Sequence, residues 1–451
     1  MSNGSQESFW QILKCVVAMG AIVTKDVLDN SVVGPAKYIM SFREQEGRYK
    51  VSTFLLIHMH WNNRGDEAAN RALIEQIKMK YPDAEIYVQL CAYTRYGTEE
   101  LEEEGIHFLD SLFPRHRHFL EYLLVYFTKG RCVITKAGKE FLEILKKSDI
   151  VIHCPGGPSI GDIYINAEKN YLERLLLACK FKKKFFLYAP SAGPFRNAKR
   201  NKYRAKIFKG ATKIIFREAM SGQYLQDFLP DVKYSVSVDT AFLNKIDMLE
   251  NQKLLVSDIE LNTFLECHSK IVGITITDLV WNPLYQNDFG LKEHIEETFR
   301  KFIAFILSKG YAVLFIPQLF GEQNDYDYMK NFEQEGCFTV RDIYNCNFQQ
   351  YLISRLYAVV GMRYHSNIFS CKMGTPFISV SYEQKMKGFM NTAGLDKWCI
   401  DIRNLEADAL SDKFSTLELE YSDYKNAVEM VSVEMYQKAE ETFEILTKCF
   451  I

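Results

Sequence analysis

The feature that most constrains the fold is a repeated unit of apolar strand, polar turn and helix. The first strand-like run, residues 51–60, reads VSTFLLIHMH and lacks the alternation of apolar and polar residues that a half-exposed strand shows. A helical pattern carrying Ala72, Leu73 and Ile77 follows it. Strands that are buried on both faces and joined by helices belong to parallel sheets. The chain is therefore predicted to be an α/β protein.

The unit recurs in two series along the chain. Strands are predicted at 51–60, 84–90, 149–154, 184–189, 212–216 and 232–238 in the first series, and at 270–276, 312–316, 357–361, 376–381 and 398–400 in the second. Residues 240–268 show weak periodicity and are interpreted as a connector. The predicted fold is two Rossmann-like, doubly wound α/β domains that face each other across a cleft, the GT-B-like arrangement.

These patterns also suggest domain boundaries. The predicted parts are an N-terminal extension of unassigned role (1–48), a first Rossmann-like domain (49–245), a connector (246–268), a second Rossmann-like domain (269–405) and a C-terminal helical segment (406–451). A long terminal helix is expected from about Tyr421 to Leu446, and it could cross back over the molecule.

Composition excludes several classes of function. The formal net charge is −2, and a protein that follows a phosphate backbone usually has a clear basic excess, so no nucleic-acid partner is expected. The eleven cysteines include no C-x-x-C pair, which favours reduced thiols in the cytoplasm and offers no zinc ribbon. No apolar run reaches the ~18 residues of a membrane-spanning helix. The apolar segment 9–23 contains Lys14 and is interpreted as a packed or interfacial helix, and no secretory signal is expected.

The most distinctive polar stretch follows the predicted strand 357–361. Arg363 and His365 stand where that strand ends and a helix begins, and the N–H groups of a helix N-terminus favour an anion. A guanidinium binds carboxylate or phosphate through two parallel hydrogen bonds, and an imidazole can carry a proton near neutral pH. The stretch predicts an anion site that contains an acid. Alternatively, Arg363 is a surface ion-pair residue and His365 only begins a helix.

Other candidate polar groups also stand at the carboxyl ends of predicted strands, where doubly wound sheets bind ligands. They are Asp66, Gly156, Gly157, Ser159, Asp162, Ser191, Arg217 and Asp239 in the first half, and Asp278, Gln318, Tyr382 and Lys385 in the second. Asp66 is well placed to cap a helix, and Asp239 could do the same. Arg217 is a stronger candidate for a ligand-binding residue, because a buried cation needs a partner and none is near it in the sequence.

Metal and cysteine chemistry are not expected. The pairs His58 with His60 and His116 with His118 have no carboxylate at ligand spacing, so no metal site is predicted. Cys154 and Cys371 resemble small core residues more than nucleophiles.

A basic cluster spans residues 180–206. It contains Lys180, Lys182, Lys183, Lys184, Arg196, Lys199, Arg200, Lys202, Arg204 and Lys206. A solvated helical face is the default interpretation. The cluster could instead approach an anionic membrane face or a pyrophosphate-linked acceptor, which leaves peripheral association with the inner face of the cell membrane open.

Five motifs in order over about residues 52–400 resemble those of the polysaccharide pyruvyl transferase family. They are the turn Asn62–Ala68, the glycine-rich segment Pro155–Asp162, Phe216–Glu218 with Ser221, the aspartate turn Val238–Phe242, and Arg363–Ser366 with Gly374–Phe377 and Ser381–Lys385. The chain departs from the family pattern at Pro155, where a further glycine is usual, and in its long N-terminal extension.

The resemblance implies an enzyme that transfers pyruvate from phosphoenolpyruvate to a sugar as a ketal, with no other cofactor. It implies that Arg217, Arg363 and Lys385 bind the donor, with Tyr382 and Ser366 beside them, and that His365 donates the proton. Asp66 would act on the acceptor hydroxyls. Acceptor contacts would come from Asn62, Gly65, Gly156, Gly157, Asp162 and Asp239 in the first domain, with the donor on the second. The acceptor would be a sugar of a surface polysaccharide or of its lipid-linked precursor.

Two alternatives remain at this stage. A nucleotide-sugar glycosyltransferase of the same architecture would need an acidic residue for the ribose hydroxyls, and Glu383 is the nearest one after His365. A non-catalytic carbohydrate-binding protein would use Arg363 and His365 structurally.

Overall fold

The structure is a computed structural model that describes residues 51–91, 98–109, 118–320 and 324–450. The predicted extension at 1–48 and His116 lie outside the described residues. Within them, no helix is both long enough and apolar enough to cross a bilayer.

Fifteen strands are present in the described residues. In chain order they are β1 Thr53–Met59, β2 Glu85–Leu90, β3 His107–Leu109, β4 Ile150–His153, β5 Gly156–Ile160, β6 Lys184–Tyr188, β7 Pro190–Ala192, β8 Lys213–Phe216, β9 Ser235–Val236, β10 Ile271–Thr275, β11 Ala312–Phe315, β12 Cys337–Thr339, β13 Ala358–Gly361, β14 Phe377–Ser381 and β15 Cys399–Asp401.

Helices connect these strands. The α-helices are α1 Arg64–Lys80, α2 Glu99–Glu103, α3 His118–Thr128, α4 Lys136–Lys147, α5 Ile165–Lys180, α6 Ala198–Gly210, α7 Ala219–Phe228, α8 Met248–Ser257, α9 Ile259–Cys267, α10 Phe289–Ser308, α11 Asp325–Lys330, α12 Cys346–Ile353, α13 Tyr364–Lys372, α14 Gln384–Thr392, α15 Ala407–Leu419 and α16 Tyr421–Thr447. Short 3-10 turns occupy Thr240–Leu243, Asp396–Trp398 and Ile402–Asn404.

The strands form two parallel sheets and one small pair. The first sheet has the order β3-β2-β1-β4-β6-β8-β9, the second has the order β12-β11-β10-β13-β14-β15, and β5 pairs with β7. In each large sheet the order reverses beside its first strand, between β1 and β4 and between β10 and β13. This is the doubly wound Rossmann topology, and its ligands bind outside the carboxyl ends of the strands at the reversal. The predicted fold class is confirmed.

Burial on both faces explains why β1 is uniformly apolar. Leu55 and Ile57 belong to one cluster of buried side chains, whereas Phe54 and Leu56 belong to a second. Successive side chains of a strand point to opposite faces, so these clusters cover the two faces of the sheet. All seven residues of β1 are buried.

The two sheets lie in one compact unit, and the loops after β1 and β11 contact each other directly. The amide of Arg64 donates to the carbonyl of Gln318 at 2.9 Å, and the amide of Phe320 donates to the carbonyl of Asn62 at 2.9 Å. The Arg64 guanidinium stacks over the Phe320 ring, 3.9 Å from its centroid. These contacts bring the carboxyl ends of the two sheets face to face.

The terminal helix contacts both sheets. The Tyr424 hydroxyl donates to the Phe377 carbonyl of β14 at 2.6 Å, and beyond the helix the Phe450 ring lies 5.2 Å from that of Phe186 on β6. The return across the molecule that the sequence suggested is therefore observed.

Some predictions of secondary structure differ from the structure. The weakly periodic connector contains two helices, α8 and α9, whose first turns are capped by the Asp247 and Asp258 side chains. The strand expected at 232–238 is only Ser235–Val236, and β12 and α12 were not predicted. The domain boundaries at 245, 268 and 405 remain a prediction.

Candidate active site

A cavity of about 300 Å³ lies between the carboxyl ends of the two sheets. Its walls come from strand β5, from the chain that follows β1, β8, β10, β11, β13 and β14, and from the start of α5. The lining residues are His60, Asn63, Asp66, Gly157, Ser159, Tyr164, Ala167, Tyr171, Arg217, Trp281, Gln318, Leu319, Arg363, Tyr364, His365, Tyr382 and Lys385. Both strand-order reversals open onto it, so it occupies the position where this topology binds ligands.

The turn after β1 is shaped around His365. Asn63, not Asp66, caps helix α1, because its side-chain oxygen accepts from the amides of Gly65 at 3.0 Å and Asp66 at 3.3 Å. The interpretation of Asp66 as a helix cap is therefore wrong, and its carboxylate lines the cavity. A Cβ built on Gly65 would overlap the His365 ring. Only glycine lets helix α1 approach the imidazole this closely.

His365 is buried at the cavity wall with its Nε2 atom between two carboxylates. Nε2 lies 3.6 Å from Asp239 Oδ2 and 4.0 Å from Asp66 Oδ1. Neither distance is a hydrogen bond, and Nε2 has no hydrogen-bond partner in the described part of the chain. Hydrogen bonds of catalytic groups are often long before substrate binds. The imidazole is therefore placed to exchange a proton with a group in the cavity.

Arg217 is buried and paired with Asp239. Its Nη1 donates to Asp239 Oδ2 at 2.7 Å and its Nε donates to the Ser191 hydroxyl at 2.9 Å. Its guanidinium carbon lies 4.7 Å from the centroid of the Tyr364 ring. Burial alone would raise the pKa of Asp239, but Arg217 and His365 lower it below the ordinary range. The partner that a buried Arg217 needs is thus Asp239, which is distant in the sequence and lies at the next strand end.

Arg363 has an equivalent partner on the second sheet. Its Nε donates to Asp325 Oδ2 at 3.1 Å, and its Nη2 pairs with Asp325 Oδ1, so the contact is bidentate. The guanidinium carbon lies 4.9 Å from the centroid of the Trp281 ring. Asp325 Oδ2 also accepts from the amides of Gln318 and Leu319, each at 3.0 Å. One carboxylate thus fixes both the cation and the loop after β11, which also lines the cavity.

Lys385 is the third cation of the cavity, and it pairs with Glu383. Its Nζ lies 2.8 Å from Glu383 Oε2. Glu383 Oε1 accepts from the Tyr164 hydroxyl at 2.5 Å and from the Asn282 amide at 2.7 Å. Burial would raise the pKa of Glu383, but Lys385 and these donors lower it. Each cation of the cavity therefore has a carboxylate that holds it in place.

Two buried histidines support Ser159 from behind. His58 Nδ1 lies 2.9 Å from His153 Nδ1, and His153 Nε2 lies 2.9 Å from the Ser159 hydroxyl. Burial lowers the pKa of both rings, to about 3 for His153, so both are neutral at pH 7. His58 has φ 66° beside a register shift in β1, a strained conformation typical of functional sites.

The tautomers of His58 and His153 follow from the ring nitrogen His58 Nε2, which has no hydrogen-bond partner among the described residues. Buried N–H groups are rarely left unpaired. The proton of His58 is therefore assigned to Nδ1, which donates to His153 Nδ1. His153 then carries its proton on Nε2 and donates to Ser159. The Ser159 hydroxyl hydrogen is free to be donated into the cavity.

His60 forms the remaining polar wall. Its Nε2 lies 2.8 Å from the Tyr171 hydroxyl. Burial would lower the pKa of His60, but Cys91 and Asp66 raise it to about 9. The pKa is raised by two acidic groups beside the ring, Cys91 and Asp66, so the charge of His60 is balanced within the cavity wall.

Comparison with known proteins identifies the family. The family model described as "Polysaccharide pyruvyl transferase" matches residues 63–384, which is more than half of the chain. The chain belongs to the polysaccharide pyruvyl transferase family. The amylovoran biosynthesis protein AmsJ of Erwinia amylovora is 23% identical over 407 residues, covering 83% of this chain and 94% of AmsJ.

Solved structures of other enzymes share the fold of this family member. A UDP-GlcNAc 2-epimerase from Neisseria meningitidis matches with a TM-score of 0.54 at 12% identity, over 88% of this chain and 100% of the epimerase. A glycosyltransferase from Rickettsia africae matches with a TM-score of 0.55 at 12% identity, over 89% of this chain and 99% of the glycosyltransferase. At such identities the likeness shows the fold alone.

Of the thirteen site residues that the sequence predicted in this family member, seven line the cavity. These are Asp66, Gly157, Arg217, Arg363, His365, Tyr382 and Lys385. Gly65 and Asp239 lie directly behind the wall, where they contact His365. Gly156 is near it, because a Cβ on this residue would lie 3.8 Å from Asp66 Oδ1.

The structure places the other three predicted site residues in structural contacts. Asp162 accepts from the amides of Arg196 at 2.5 Å and Asn197 at 3.2 Å, and it pairs with Arg204 at 2.8 Å. The Asn62 amide group donates to the Phe320 carbonyl at 3.4 Å. The Ser366 hydroxyl is fully buried and bonds to Thr275 and to the Arg363 carbonyl. Their placement gives no support to direct ligand contacts.

Several cavity residues were not recognised in the sequence as site residues. His60 was weighed only as a metal ligand, and Tyr164, Tyr171, Trp281 and Tyr364 were not considered. Their place after a strand end could have indicated two of these residues, since His60 follows strand β1 and Trp281 follows strand β10 closely. In the described residues no group of three His, Cys, Asp or Glu side chains could hold a metal ion.

Proposed function

We propose that this chain transfers pyruvate from phosphoenolpyruvate to two hydroxyls of one sugar, forming a ketal and releasing phosphate. The observation that carries the proposal is the convergence of Arg217, Arg363, Lys385 and His365 on one cavity from two different sheets. A small, multiply charged anion with a reactive carbon suits such a site, because it needs several cations and one positioned acid.

The arginines are suited to hold a ligand without being rearranged. Hydrogen bonds to Asp239 and Asp325 fix both guanidiniums, while Tyr364 and Trp281 pack against their faces. Nη2 of Arg217 makes no hydrogen bond within the described residues, so it remains available to a carboxylate or phosphate oxygen. Donors preorganised in this way lose little conformational entropy when the substrate binds.

The reaction has a clear order of proton transfers. His365 protonates the methylene carbon of phosphoenolpyruvate, which leaves an oxocarbenium-like centre at the neighbouring carbon. One sugar hydroxyl adds there, the C–O bond to phosphate breaks, and a second hydroxyl closes the ketal. The two hydroxyl protons go to His365 and to the departing phosphate. Asp66, beside His365, is positioned to accept the first of them and to return it to His365, while the second leaves with the phosphate.

A second cavity provides room for the acceptor. It measures about 510 Å³, and Tyr382 belongs to the walls of both cavities. Its lining includes Ser381, Asn391, Thr392 and Asp401, which are hydroxyl, amide and carboxylate groups of the kind that bind sugar hydroxyls. The acceptor would then be a saccharide whose terminal sugar reaches the first cavity past Tyr382.

The structure gives less support to a nucleotide-sugar glycosyltransferase. Glu383, the acidic residue that could bind ribose hydroxyls, is already engaged by Lys385, Tyr164 and Asn282. In addition, 300 Å³ lies at the small end of ligand cavities, which span about 300–1,000 Å³.

Thermal unfolding with added ligand tests the proposal. Phosphoenolpyruvate at ~100 times its Kd should stabilise the protein by about 2.7 kcal/mol and raise the midpoint. UDP-sugars at the same concentration should not. Stabilisation by a UDP-sugar with no response to phosphoenolpyruvate would overturn the proposal in favour of the glycosyltransferase.

A further inference from the structure

Positive charge is concentrated on one face of the first half of the molecule. Residues 180–213 contain twelve lysines and arginines and no aspartate or glutamate, although the whole chain has a net charge of −2. Arg204 is buried and pairs with Glu168 and Asp162, and Arg200 approaches Glu168 at 4.0 Å. Most of the remaining cations project into solvent.

Helix α6 presents these cations as a single stripe. Lys199, Lys202, Tyr203 and Lys206 are exposed at helical spacing, followed by Lys209, whereas Ile207 and Phe208 face the core on the opposite side. Among the described residues none of these four lysines forms an ion pair. Unpaired lysines on one helix face leave a positive field that favours an anionic partner.

Apolar and aromatic side chains stand beside the stripe. The Tyr126 ring lies between Lys180, 4.5 Å away, and Lys206, 5.0 Å away. The Phe127 ring is 5.6 Å from that of Tyr126, and its side chain is 73% exposed. We refer to Lys180, Lys199, Lys202, Lys206 and Lys209 with Phe127 and Tyr203 as the basic face.

We propose that the basic face lies on an anionic lipid leaflet. Lysines attract acidic headgroups with their charged ends while their aliphatic stems lie along apolar surface, and the exposed Phe127 and Tyr203 side chains enter the interfacial region. The phosphates of a nucleic acid would account for the lysines, but they make no use of the exposed Phe127 ring. The combination of unpaired lysines with exposed apolar side chains therefore favours lipid over another polyanion.

Helix α5 links this face to the cavity. Its first turns line the cavity at Ala167 and Tyr171, and its last residue is Lys180. At 1.5 Å per residue, Tyr171 and Lys180 are about 14 Å apart along the helix axis. A leaflet on the basic face would lie near enough to the cavity to present a lipid-linked saccharide to it. This consequence rests on the proposed function, whereas the proposed lipid binding does not depend on it.

Vesicle sedimentation with the full chain tests the proposal. The wild type should sediment with vesicles of phosphatidylcholine mixed with phosphatidylglycerol and remain in solution with phosphatidylcholine alone. Combined Lys199→Glu, Lys202→Glu and Lys209→Glu should lower the partition coefficient by ~100-fold or more, since each lysine near an anionic surface contributes several-fold. A matched control reverses three exposed lysines elsewhere, Lys253→Glu, Lys425→Glu and Lys448→Glu, and should retain binding.

A second variant separates lipid from other polyanions. Phe127→Ser removes an exposed side chain and should lower binding to the anionic vesicles by ~10-fold, because the ring's burial in the interface is lost. It should leave binding to heparin unchanged. Equal sedimentation with both vesicle types, or full binding by the triple variant, would overturn the proposal. So would a Phe127→Ser variant that binds vesicles as the wild type does, since the face would then recognise charge alone.

Discussion

Nε2 of His365 lies 3.6 Å from Oδ2 of Asp239, and the same oxygen accepts a hydrogen bond from Arg217 at 2.7 Å. Asp239, which follows the last strand of the first sheet, therefore lies against both Arg217 and the His365 imidazole in the first turn of helix α13. The proposed site is complete only when the two halves meet, because neither half supplies both His365 and all three of Arg217, Arg363 and Lys385.

Gly65→Ala should lower kcat/KM by ~100-fold, because a Cβ at this position overlaps the His365 ring and displacing a catalytic group by about 1 Å can cost that much. The matched control is Gly290→Ala. Both glycines are the second residue of a helix, but a Cβ on Gly290 would meet only Asp288 Oδ1, at 3.8 Å. Steady-state kinetics and urea unfolding of both variants check the prediction. Comparable activity in the two variants would show that the close approach does not position His365.

The buried pair of Arg217 and Asp239 should behave as a unit in stability measurements. The variants Asp239→Asn and Arg217→Met should each lower the free energy of unfolding by ~3–5 kcal/mol. The first leaves the buried guanidinium of Arg217 without its counterion, and the second leaves the buried carboxylate of Asp239 without its counterion. The double variant should cost clearly less than the sum of the two. Denaturant unfolding measures all three. Additive losses would indicate that the 2.7 Å contact contributes no coupling.

Ser159→Ala should weaken binding of an anionic ligand by ~3- to 10-fold, the value of one hydrogen bond, since the assigned tautomers leave this hydroxyl as a donor to the cavity. Ser366→Ala is the control, because the Ser366 hydroxyl is buried against Thr275 and the Arg363 carbonyl. That variant should lose stability and keep the affinity of the folded protein. Titration with phosphoenolpyruvate compares them. An unchanged affinity in Ser159→Ala would contradict the tautomer assignment.

The neutral histidines should make the protein sensitive to acid. The pKa of His153 is about 3 in the fold, against 6.5 for an unperturbed histidine. Between these values the unfolded chain binds a proton that the native state does not, so the free energy of unfolding falls as pH decreases below about 6.5. The slope can reach about 1.4 kcal/mol per pH unit for each such histidine. Urea unfolding at pH 7 and pH 5 should show a smaller loss in His153→Asn than in the wild type, and equal losses would contradict this account.

Strand ends were the most predictable part of the site. The uniformly apolar run 51–60 and the short run 357–361 mark strands β1 and β13, and doubly wound topology then places their carboxyl ends together. Arg217, Arg363, His365 and Asp66 could be found in this way without knowing any side-chain direction.

Pairing between these residues could not be predicted. Asp239 is 22 residues from Arg217, and Asp325 is 38 residues from Arg363, so each ion pair depends on how the strands are ordered in the sheet. The cap of helix α1 was assigned to Asp66 because Asn63 and Asp66 are both suitable cap residues, and only the backbone conformation distinguishes them. The histidine chain behind Ser159 depends on a register shift in β1, for which sequence periodicity provides no signal.

The most direct test of the central claim compares His365→Ala with the wild type in one pair of measurements. These are the thermal shift with phosphoenolpyruvate, and phosphate release with a panel of galactose-, mannose- and glucosamine-terminated acceptors. The variant should keep the thermal shift, because the three cations remain, and its turnover should fall by ~10²- to 10⁴-fold, the usual contribution of a general acid. Turnover near the wild-type rate in His365→Ala, or no thermal shift by phosphoenolpyruvate in either protein, would contradict the account.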